Sequence, residues 1–137
     1  MGAWATGPFD NDTAADFAGD LDAAAPELRE GLVRAVLGGG AAELGHLDAW
    51  DGDRIVAAAA LVASQCPGGG PVSTAYGPDQ PLPVFDADLR RLALDAPGTV
   101  LGEDSELAEL WDDADRGADR RREVERLRAV LHAASAA

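Results

Sequence analysis

The chain has 137 residues, with 25 acidic side chains against 11 basic ones and a formal charge of -14, a balance that repels nucleic acid and anionic membrane surfaces. A single cysteine, Cys66, excludes an internal disulfide, and no apolar run approaches the ~20 residues of a membrane span. The length suits one domain, and because 29 residues are alanine while Val, Ile, Tyr, Phe and Trp are few and scattered, alternating strands have no source. The expected fold is all-α: a compact single-domain bundle of about five to six helices over residues 1–137, with an N-terminal arm packed on it.

The arm comes first. Gly7 and Pro8 cannot continue a regular element, so Trp4 and Phe9 are presented from irregular backbone and are expected to plug a groove between helices. Asn11 and Asp12 can each accept a hydrogen bond from the free amides of a first helical turn. A helix therefore starts at Asp12 or Thr13 and runs to about Leu21, with Ala14, Phe17, Ala18 and Leu21 inward and Asp16, Asp20 and Asp22 in water. Asn11 reads as the cap or turn residue that ties down the arm.

Two sharper readings of this stretch fail on context. Asp10-Asn11-Asp12-Thr13 has the Asp-x-Asp-x-Thr form of haloacid-dehalogenase-like phosphatases, but no apolar strand leads into it and the chain has no lysine for the phosphate. A calcium loop counted from Asp10 would need Gly and Glu where Ala15 and Leu21 stand. The first six residues also match an N-myristoylation pattern, which a composition typical of a high-GC bacterium makes unexpected. The start lacks the basic and apolar regions of a signal peptide, so the cytoplasm is the expected location.

Pro26 fits a first-turn position, with Glu27 and Glu30 suited to a helix N-terminus. Leu28, Leu32, Val33, Val36 and Leu37 form an apolar stripe, and Gly38-Gly39-Gly40 ends the helix as a C-terminal cap, lacking the preceding strand and the lysine of a phosphate cradle. After turn residues Asp48 to Gly52, a third helix is predicted from about Asp53 to Gln65. It is apolar nearly all round, from Ile55 to Ala63, which places it at the centre. Residues 67–83 contain five of the eight prolines and read as a long loop insertion. A fourth helix is expected from Asp86 or Ala87 to Asp95, with Phe85 as a staple and Pro97-Gly98 as a breaker.

Ser105 or Asp104 can cap the next helix, in which Leu107, Leu110, Trp111 and Ala114 make one face and Glu106, Glu109, Asp112, Asp113 and Asp115 the solvated one. The last helix, about Ala118 to Ala133, turns Val124, Leu127, Val130 and Leu131 inward. Its arginines 120, 121, 122, 126 and 128 are expected to pair with the acidic helix before it. His46, His132 and Cys66 lack metal-ligand spacing, so no metal, cofactor or catalytic residue is assigned.

Two segments, Trp4 to Phe17 and Ser105-Glu106-Leu107-Ala108-Glu109-Leu110-Trp111, resemble the DUF4259 family of uncharacterised bacterial proteins, with the Ala57-Ala60 helix as a weaker third link. Ala5 stands where that family usually has Gly, and the glutamate that often follows its alanines is absent. The resemblance implies a compact helical protein and supplies no mechanism. The residues it singles out as a binding or structural motif are Trp4, Gly7, Phe9, Asp10, Asn11, Asp12, Asp16, Ser105, Glu106 and Trp111. Charge without a catalytic constellation points to a non-enzymatic interaction module for a basic protein partner, in the manner of immunity proteins. The competing expectation is a small hydrolase or a ligand- or metal-binding domain using Asp10, Asn11, Asp12 and Asp16.

Overall fold

The computed structural model describes residues 12–38, 49–66, 82–100, 109–111 and 117–136, and these are helical or short irregular connections with no strand among them. The helices are α1 (Asp12–Ala23), α2 (Pro26–Leu37), α3 (Ala49–Ala63), α4 (Ala87–Val100) and α5 (Gly117–Ala136), with a further helical segment at 109–111. The all-α expectation holds.

α3 is the axis of the bundle. Every residue from Ile55 to Ala63 is buried, and α1, α2, α4 and α5 all pack against it. A helix with no polar face can be stable only when surrounded, and its alanines let four neighbours approach closely. It starts four residues earlier than predicted, at Ala49, because Asp51 and Gly52 are absorbed into its first turn instead of forming a turn of their own. Gly52 is buried there.

The inward faces of α1 and α5 follow their sequence periods. Ala14, Phe17, Ala18 and Leu21 are buried on α1, and Val124, Leu127 and Leu131 on α5, with Val130 only partly covered. Asp22, expected in water, is half-buried. On α2 the expectation fails at one pair of positions: Leu28 is 60% exposed, whereas Arg29 is 5% exposed and points inward. The cause is the two-residue link from α1. It brings the first turn of α2 against the last carbonyls of α1, and Arg29 Nε donates to the Leu21 carbonyl at 2.9 Å. Gly38 caps α2 as predicted, its amide donating to the Arg34 carbonyl at 2.9 Å.

Residues 82–86 lead into α4 and are held by side chains. Gln65 Nε2 donates to the Pro83 carbonyl (2.8 Å) and Gln65 Oε1 accepts from the Phe85 amide (2.9 Å), so one amide group pairs with this segment as a neighbouring strand would. Asp86 then caps α4, its Oδ1 accepting from the Leu89 amide at 2.8 Å, and Arg34 of α2 bridges to the same carboxylate at 3.2 Å. Phe85 is buried, as the staple expectation requires, although the residue one turn on is Arg90, which donates to the Phe85 carbonyl at 2.8 Å.

α4 does not stop at Asp95. It runs through Pro97 to Val100, and Ala96, Pro97 and Val100 are all buried. An interior proline costs a helix about 3 kcal/mol, and burial of these three apolar residues where α4 packs with its neighbours offsets that cost. Tertiary packing overrides the local breaker.

Candidate functional site

Of the motif residues, Trp4, Gly7, Phe9, Asp10, Asn11, Ser105 and Glu106 lie outside the described residues, as do most of the 67–83 loop and His46. Asp12 is the first residue of α1. Asp16 is exposed on the outer side of α1, one turn before the exposed Asp20. Trp111 is buried at 8% exposure and belongs to the core, as the sequence suggested. Its neighbour Leu110, predicted to share that face, is instead 53% exposed. The segment 109–111 therefore commits one side chain inward, and α5 begins directly against it. A Cβ placed on the buried Gly117 would fall on the Trp111 carbonyl, so only glycine permits the backbone of α5 to start where it does.

Asp53 is the titratable group most changed by its surroundings. It lies half-buried on α3, and burial pushes its carboxyl up from the ordinary 3.8 to about 6, against the opposing pull of the Arg120 guanidinium on α5. Its neighbour Arg54 sits over the Phe17 ring at 5.5 Å, tying α3 to α1. Burial likewise raises the Cys66 thiol, with Arg90 pulling the other way. Asp86 is lowered, first by the hydrogen bond from the Leu89 amide and then by Arg34. Sequence reasoning missed Asp53 and Arg29, and no local signal marks either.

The arginines of α5 were expected to meet the acidic helix before it. Among the described residues their ion pairs run along α5 itself: Arg122 with Asp119, Arg126 with Glu123 at 2.7 Å and Arg128 with Glu125 at 3.5 Å. The hydrogen bonds to Glu123 hold Arg126 above its ordinary range. Glu106, Asp112, Asp113 and Asp115 lie outside the described residues.

The stretch with the most uniform charge is α1 with the start of α2. Between Asp12 and Val33 the sequence has six carboxylates and one cation, and that cation, Arg29, is buried. Asp16, Asp20, Ala23, Ala25, Pro26, Glu27 and Leu28 are each exposed. Among the described residues no group of three or more His, Cys, Asp or Glu is placed to hold a metal ion, and no helix is long and apolar enough to cross a membrane.

Fold and surface together define an acidic, all-helical bundle built round an alanine-rich axis. The chain belongs to the family described as "Domain of unknown function (DUF4259)", whose model matches residues 2–123. No curated protein matches it, and no solved structure does.

Proposed function

We propose that the protein is a non-enzymatic, cytoplasmic interaction module that binds and neutralises a basic protein partner, in the way an immunity protein does. The observation that carries this reading is the composition of α1, which has four aspartates and no cation of its own. Its charge is therefore not cancelled within the helix, as that of α5 largely is. A field of one sign on a rigid element speeds encounter with an oppositely charged partner and discourages acidic ones.

Affinity capture from native lysate, followed by size-exclusion chromatography with light scattering, tests the reading. The expected result is a stoichiometric complex with a basic protein that weakens as salt is raised. Recovery of no stoichiometric partner, or of one that is acidic and indifferent to salt, overturns it.

A further inference from the structure

We draw no further inference here: the strongest candidate, a pH-sensitive contact between the half-buried Asp53 of α3 and Arg120 of α5, rests on the shifted titration of that one carboxyl alone.

Discussion

α1 and α5 both bury apolar side chains against the same central helix and differ in the charge they carry. Inward, Phe17 and Leu21 on α1 correspond to Leu127 and Leu131 on α5, each at or near zero exposure. In composition, α1 has four aspartates and no base, with Asp16 and Asp20 exposed, while α5 sets five arginines against three acids, spaced so that acid and base fall three residues apart. Three of the five arginines of α5 are thus paired along its own length. α1 has no base of its own with which to do the same. Packing determines where each helix lies, and only the outer faces distinguish what the two offer to a partner.

The equality of the inner faces is the first thing to break. Phe17→Ala should cost about 4 kcal/mol and Leu127→Ala about 3 kcal/mol in urea unfolding, because both leave cavities beside α3. A loss below 1 kcal/mol at either would mean that helix is not part of the common core. Gly117→Ala should cost about 3 kcal/mol by the same measurement, since the backbone of α5 must shift away from Trp111 to admit a methyl group. No comparable steric constraint exists on α1, where a Cβ at Gly19 would meet nothing, so Gly19→Ala should be neutral or slightly stabilising.

Asp53 sharpens the comparison, because it stands on α3 and takes its opposing charge from α5. Its folded-state pKa of about 6 lies above the ordinary 3.8. The folded state therefore holds this proton more tightly than the unfolded one. The stability Asp53 contributes is fully present below 3.8 and is lost as pH rises through about 6. Asp53→Asn should raise stability at pH 7 by about 2 kcal/mol and flatten the profile between those values, read from urea midpoints across the pH range. An unchanged profile would mean that burial does not raise the Asp53 carboxyl. A small effect belongs to the paired surface of α5: Arg126→Gln should change stability by about 0.3 kcal/mol at low ionic strength and by nothing measurable in 1 M salt.

The comparison also marks how far the residues could be read in advance. The start of α1 at Asp12, its inward Phe17 and Leu21, the cap at Asp86 and the central place of α3 all follow from patterns within one helix, where period and capping chemistry act over three or four residues. The swap of Leu28 for Arg29 does not, because it depends on the end of α1 offering a carbonyl to the next helix. Nor does the passage of α4 through Pro97, which needs neighbours to bury it.

By itself the sequence determined that the chain would be helical, acidic and centred on the run from Ile55 to Ala63, since those properties are sums over composition and period. The tertiary structure alone decided which charges were left to water. It took Arg29 out of solvent, pushed Asp53 into partial burial and left Leu28 outside, because desolvation and hydrogen bonding depend on what a distant segment places alongside, and no local spacing encodes that.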